Sequence, residues 1–157
     1  MKVKEVMTPN ATAIWLTESL ADAAKLMWEN DCGALPIIKD GRKVIGMITD
    51  RDVCMAAAMK GRNPSAISVE EIMTRQVYAA KPEENIDQAL QTMREHQVRR
   101  LPVINADGEL EGILSINDIV LHAKLPNGAS SGRIDYTDVM KTYQTICQHR
   151  VPAMLQA

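Results

Sequence analysis

Gly46-Met47-Ile48-Thr49-Asp50-Arg51-Asp52 returns 66 positions later as Gly112-Ile113-Leu114-Ser115-Ile116-Asn117-Asp118. Both stretches run glycine, two apolar residues, a hydroxyl residue and, three further on, an aspartate. The same shift carries Glu5-Val6-Met7-Thr8 onto Glu71-Ile72-Met73-Thr74. It also carries Leu20, Ala23 and Met27 onto Ile86, Ala89 and Met93, and Leu35-Pro36-Ile37-Ile38 onto Leu101-Pro102-Val103-Ile104. A constant shift over this length means two copies of one supersecondary unit, most simply related by a pseudo-two-fold axis. The cleft between the copies is the first place to look for function.

Each copy reads as β-α-β-β-α, which predicts an α/β fold. The short apolar run Thr12 to Leu16 is a first strand. Ser19 and Asn85 are helix N-caps, each followed by an apolar stripe at helical spacing: Leu20, Ala23, Ala24 and Met27, then Ile86, Ala89, Leu90 and Met93. Leu35–Ile38 and Leu101–Ile104 are buried strands. The turn signals Asp40-Gly41 and Asp107-Gly108 lead each into a return strand, Val44–Ile48 or Leu110–Leu114. A second helix follows in each copy, from Asp50 to Lys60 and from Ile116 to Lys124, and Ser68-Val69-Glu70-Glu71 opens a short helix through Met73. The organisation is thus copy one over residues 1–60, a linker over 61–70, copy two over 71–124, and a loop with a helical tail over 125–157. In the tail Tyr136, Val139, Met140, Tyr143, Ile146, Cys147 and Arg150 recur at helical spacing. That stripe fits either a helix packed on its own domain or one that meets a second subunit.

Composition narrows the class of function. The chain has 157 residues, no Phe and 10 Met, so its core must be built from aliphatic residues and Met. A net charge of −2 without a basic block excludes an electrostatic footprint for nucleic acid. No apolar run approaches the roughly 20 residues of a membrane span. The opening Met1-Lys2-Val3-Lys4-Glu5 has no apolar core of a secretory signal, which predicts a cytoplasmic chain. Cys32, Cys54 and Cys147 form no Cys-x-x-Cys pair, and His96, His122 and His149 lack metal-ligand spacing. Neither metal nor catalysis is expected.

Thr49-x-x-Asp52 and Ser115-x-x-Asp118 admit two readings. As capping boxes they satisfy the first free N–H groups of a helix. As ligand groups they stand where a helix N-terminus favours phosphate. Three features add weight to the ligand reading. Gly46 and Gly112 mark a close approach, of a ligand or of another backbone. Arg51 sits beside Asp52. Arg99-Arg100 enters a buried strand, which is expensive unless something negative lies opposite. The bland alternative for that pair is a surface ion pair with Glu95 or Asp118.

The repeat resembles a CBS motif, and the chain a tandem CBS pair. The likeness rests on Val6-Met7-Thr8-Pro9, on Arg99-Arg100-Leu101-Pro102-Val103, and on the Gly-h-h-Thr/Ser-x-x-Asp motifs at Gly46 and Gly112. It covers residues 1 to about 124. The resemblance implies a regulatory, non-catalytic module with no required cofactor, a homodimer that binds an adenosine-containing ligand between its repeats and acts on a regulated protein partner. The ligand would be AMP, ADP or ATP, or less commonly NADH or S-adenosylmethionine. Asp52 and Asp118 would hold ribose, with Thr49 and Ser115 beside them. Carried over crosswise, Arg99 and Arg100 would serve the Asp52 site and Arg51 the Asp118 site; Asn117 matches Arg51 in copy two and joins the set. Gly33-Ala34 stands where copy two has Arg99-Arg100, so the crosswise scheme leaves the Asp118 cleft without that clamp. The competing reading is a ligand-free interaction module in which both motifs only cap helices.

Overall fold

The computed structural model describes residues 1–123 and 135–147. The expected loop at 125–132, the expected helix end at Lys124, and His149 and Arg150 lie outside the described residues. Five helices and two three-stranded sheets are described.

Local chemistry sets the elements. Helix α1 (Leu20–Glu29) starts at Ser19, whose hydroxyl accepts from the Asp22 N–H while Asp22 accepts from the Ser19 N–H at 3.0 Å. Its stripe buries Leu20, Ala23 and Met27. Helix α3 (Ile86–His96) buries the matching Ile86, Ala89, Leu90 and Met93. The hairpin of β3 (Ala34–Lys39) and β4 (Lys43–Thr49) turns through Asp40, Gly41 and Arg42, all with positive φ. Its counterpart joins β5 (Arg100–Ile104) to β6 (Leu110–Ser115). Helices α2 (Asp50–Lys60) and α4 (Ile116–His122) follow the return strands directly. The first strand is shorter than the apolar run suggests: β2 spans Ile14–Trp15, parallel to β3. In copy two it shrinks to a single parallel bridge between Ala80 and Val103. The helix expected from Ser68 through Met73 is one 3-10 turn, Val69–Glu71.

The copies exchange their leading segments. Strand β1 (Thr8–Pro9) pairs antiparallel with β6 of copy two, not with its own sheet. Thr74, which leads copy two, exchanges two backbone hydrogen bonds with Met47 in β4, at 3.0 and 2.9 Å. This explains Gly46 and Gly112. A Cβ on Gly112 would lie 2.6 Å from the Thr8 carbonyl oxygen, and one on Gly46 would lie 3.0 Å from that of Thr74. The close approach signalled by these glycines is that of backbone from the other copy.

Each repeat has its own core. Leu20, Leu35, Ile37, Ile48 and Ile67 fill the first, and Leu90, Met93, Leu101, Leu114 and Ile119 the second. Complete burial of each such side chain contributes about 1.5–3 kcal/mol. Ala11, Ile38 and Leu110 form a smaller cluster joining the two. The methionines divide rather than gathering in the core: Met27, Met73 and Met93 are buried, whereas Met55, Met59 and Met140 are exposed.

Helix α5 (Tyr136–Ile146) turns its stripe onto its own chain. Val139 is buried in the second core, and Tyr143 and Ile146 pack against that core. The helix lies on α3 and α4, and Gln97 Nε2 donates to the Thr145 carbonyl at 3.3 Å.

Candidate nucleotide cleft between the repeats

Both motifs lie at a strand-to-helix turn, and both are complete capping boxes. Asp52 Oδ2 accepts from the Thr49 N–H at 2.9 Å and from its hydroxyl at 2.7 Å, while the Asp52 N–H donates back to Thr49 Oγ1 at 3.2 Å. Asp118 Oδ2 accepts from the Ser115 N–H at 2.8 Å and its hydroxyl at 2.6 Å, with 3.2 Å for the return bond. Capping and ligand binding do not compete for the same atom, because the box engages one carboxylate oxygen. The other oxygen of Asp118, Oδ1, meets Thr8 Oγ1 at 3.4 Å, at the long limit of a hydrogen bond. Strand exchange brings Thr8 there.

Beside Asp118 opens a cavity of about 500 Å³. Copy two lines it with Arg99, Arg100, Ser115, Asn117 and Asp118; copy one supplies the facing wall, including Thr8, Asn10, Thr12, Asn30, Cys32 and Gly33. The size falls within the usual range for small-molecule sites. Five of the expected residues therefore meet at one place. Thr49, Arg51 and Asp52 line neither this cavity nor a second one of about 450 Å³ between α1 and α2.

Strand register sets which motif each of these positions stands beside. Arg100 pairs with Ser115 across the β5–β6 hairpin, and the Arg99 carbonyl accepts from the Ile116 N–H at 3.0 Å. A residue just before Leu101-Pro102 is therefore fixed beside the Asp118 motif of its own repeat. The same register puts Ala34 opposite Thr49, and the Gly33 carbonyl accepts from the Asp50 N–H at 3.3 Å. It is thus the Asp52 motif that has small residues beside it.

Among the described residues, no salt bridge involves Arg99 or Arg100, so the alternative of a surface ion pair with Glu95 or Asp118 does not form. Arg99 is exposed and Arg100 half-buried. Burial lowers the pKa of the Arg100 guanidinium, the neighbouring Arg99 charge lowers it further, and Asp50 partly offsets both. Arg100 Nη2 would be 3.4 Å from a Cβ on Gly33, so the bare glycine makes room for it. Two adjacent cations, one partly desolvated, share the cavity with the carboxylates of Asp31 and Asp118 and keep guanidinium N–H groups for an anionic ligand. Burial raises the pKa of the Cys32 thiol on the facing wall.

Sequence reasoning missed the facing wall and Tyr143, which also lines the cavity. A signal existed in the differences between the copies. Thr12 and Asn30 match Tyr78 and His96 in copy two. Thr12 Oγ1 meets Asn30 Oδ1 at 3.0 Å on the cavity wall, whereas the Tyr78 and His96 rings stack with centroids 3.6 Å apart.

Comparison with known proteins fits this geometry. Hypoxic response protein 1 of Mycobacterium tuberculosis is 36% identical over 119 residues, covering 76% of this chain and 82% of the relative. Its crystal structure, with two coordinated zinc ions, superposes with a TM-score of 0.72 over 80% of this chain and 100% of that one. Among the described residues here, no group of three or more His, Cys, Asp or Glu could hold a metal. CBSX2 of Arabidopsis thaliana, solved in complex with AMP, is 28% identical with a TM-score of 0.66, over 76% of this chain and 93% of that one. The CBS domain pair of MJ0100, solved with 5-methylthioadenosine and S-adenosyl-L-methionine, gives 28% identity and a TM-score of 0.66, over 77% and 94%. The CBS domain family matches residues 3–58 and 69–124, and with both copies accounted for, this chain belongs to that family as a tandem CBS pair.

Proposed function

We propose that this CBS pair is a non-catalytic regulatory module that binds one adenine nucleotide, with AMP the first candidate, in the cleft lined by Asp118. The observation that carries the reading is the meeting of Arg99 and Arg100, which form no salt bridge among the described residues, with Asp118 in one cavity of nucleotide size. The arginines hold phosphate, and Asp118 accepts from the ribose hydroxyls through the oxygen its capping box leaves over. Ser115 and Asn117 border the sugar and phosphate. The AMP bound by CBSX2 and the adenosyl ligands bound by the MJ0100 pair support the same ligand class. Adenine nucleotides are cytoplasmic ligands, so the reading also places the protein in the cytoplasm. The module works as a homodimer that passes the nucleotide signal to a regulated protein partner.

Calorimetric titration with AMP, ADP, ATP, NADH and S-adenosylmethionine tests this. At 100 times its Kd a ligand of the native state adds about 2.7 kcal/mol of stability, so thermal shift gives a second readout. One site per chain is expected, lost in Asp118→Ala. If no member of the panel binds, the reading falls, and the capping-only alternative takes its place. That alternative has specific support in copy one, where Thr49 and Asp52 form a complete capping box and line neither cavity.

A further inference from the structure

Helix α5 lies beyond residues 3–58 and 69–124, the segments that match the family. Yet it adds a wall to the cleft. Tyr143 lines the cavity together with Arg99, Arg100 and Asp118. It reaches there because the helix is seated by Val139, 3% exposed, and Thr142, fully buried, whose hydroxyl is satisfied by the Asp138 carbonyl at 2.8 Å. Asp135 caps the helix by accepting from the Thr137 N–H at 2.7 Å.

An 11-residue helix is marginal by itself in water and depends on its docking surface. Val139, Thr142, Tyr143 and Ile146 supply that surface, and one of the four faces the ligand cavity. A ligand there touches the docked helix and loses that contact when the helix leaves. Such a difference in contacts is a coupling free energy, and it acts equally in both directions.

We infer that Tyr143 is a ligand-contact residue and that α5 is a ligand-coupled element: nucleotide in the Asp118 cleft and the docked helix stabilise each other. This rests on the nucleotide reading above. It makes the tail, rather than the repeats, the part of the molecule whose docking reports occupancy.

Hydrogen exchange of the full chain with and without saturating AMP separates the two ideas. Both the cleft segments around residues 99–118 and the helix at 136–146 should exchange more slowly with AMP. Tyr143→Ala should weaken AMP about fivefold or more and abolish the protection of 136–146, while 99–118 remains protected at saturation. Val139→Ala loosens the helix from a residue that does not line the cleft, so reciprocity requires it to weaken AMP as well. Protection confined to 99–118, or unchanged AMP affinity in Val139→Ala with a measurably loosened helix, overturns the coupling and leaves the nucleotide reading standing. Absence of AMP binding and of protection in both segments overturns both.

Discussion

Copy one and copy two share much of one backbone plan, yet of the two cavities only the one beside copy two is lined by its motif's hydroxyl residue and closing aspartate. The hairpin register is the same, Ala34 opposite Thr49 and Arg100 opposite Ser115, and so is the capping box. What differs are the side chains hung on that plan. Arg99-Arg100 stands against Gly33-Ala34, and the stacked Tyr78 and His96 stand against Thr12 and Asn30. The Thr/Ser-x-x-Asp motif is therefore scaffold first: it builds the strand-to-helix turn in both copies. The positions beside the motif are where the copies disagree.

The largest effect should come from breaking that disagreement. Arg100→Ala removes charge-assisted bonds worth about 1.5–3 kcal/mol, or roughly 10- to 100-fold in Kd. Asp118→Ala should weaken AMP by a similar factor. Asp52→Ala should leave AMP affinity unchanged and cost about 1 kcal/mol of stability through the lost cap. Calorimetry on the three variants decides the matter. A loss of AMP affinity in Asp52→Ala with none in Asp118→Ala would restore the crosswise scheme.

The helix faces of the copies differ as well. In copy two α5 covers α3 and α4, placing Val139 in one cluster with Leu90, Met93 and Ile119. The matching groove of copy one, between α1 and α2, is the second cavity, lined by Met27, Trp28, Val53 and Cys54. Trp28 in its lining is 87% exposed. A groove that holds a helix in one copy and, among the described residues, none in the other suits the same face of a second chain. Trp28→Asp should therefore cost a dimer about 2 kcal/mol and shift it toward monomer in light scattering. A dimer that survives Trp28→Asp unchanged, and dissociates only on removal of α5, would return the interface to the tail.

Strand exchange gives the next test. Gly112 has the tighter approach, 2.6 Å to a backbone oxygen against 3.0 Å at Gly46. Gly112→Ala must push β1 off β6, and overpacking of this kind costs about 1–3 kcal/mol. Gly46→Ala, where Met73 Sδ and the Thr74 oxygen both sit at 3.0 Å, should cost less. Urea midpoints compare the two, and equal losses would mean that β1 carries no more of the join than Thr74 does.

What could be read from the sequence was local. Helix caps at Ser19, Thr49 and Ser115, the turn glycines, and the alternation of strand and helix each depend on a few neighbouring residues, and the repeat confirmed them by stating them twice. What escaped was non-local. A two-residue strand such as Thr8–Pro9 has no periodicity to announce that it pairs with β6. The tail stripe was visible, but an apolar stripe looks the same whether it faces its own chain or another. The arginine pair was visible too, but only register, fixed by long-range pairing, puts it beside the Asp118 motif.

The smallest expected effect concerns the link between the copies. Glu71 and Glu5 occupy matching positions. Glu5 accepts from the Lys2 N–H at 2.8 Å, whereas Glu71 binds Lys60 at 2.9 Å and Arg62 at 3.0 Å, tying the end of α2 to the turn that opens copy two. The hydrogen bond from Lys60 leads in lowering the Glu71 pKa from 4.5 to about 2, with the Ser68 N–H and Arg62 adding to it. A carboxylate whose pKa is depressed by folding adds stability above its unfolded pKa and loses it as pH falls toward its folded pKa. The contribution is therefore complete above pH 4.5 and fades from there down to about pH 2. The groups are a third or more exposed, so salt and water screen the effect. The Tm difference between wild type and Glu71→Gln should be small and positive at pH 6 and shrink as pH falls from 4.5 to 3. High salt at pH 6 should shrink it too. A difference independent of pH and salt would mean that Glu71 acts by the shape of its turn rather than by its charge.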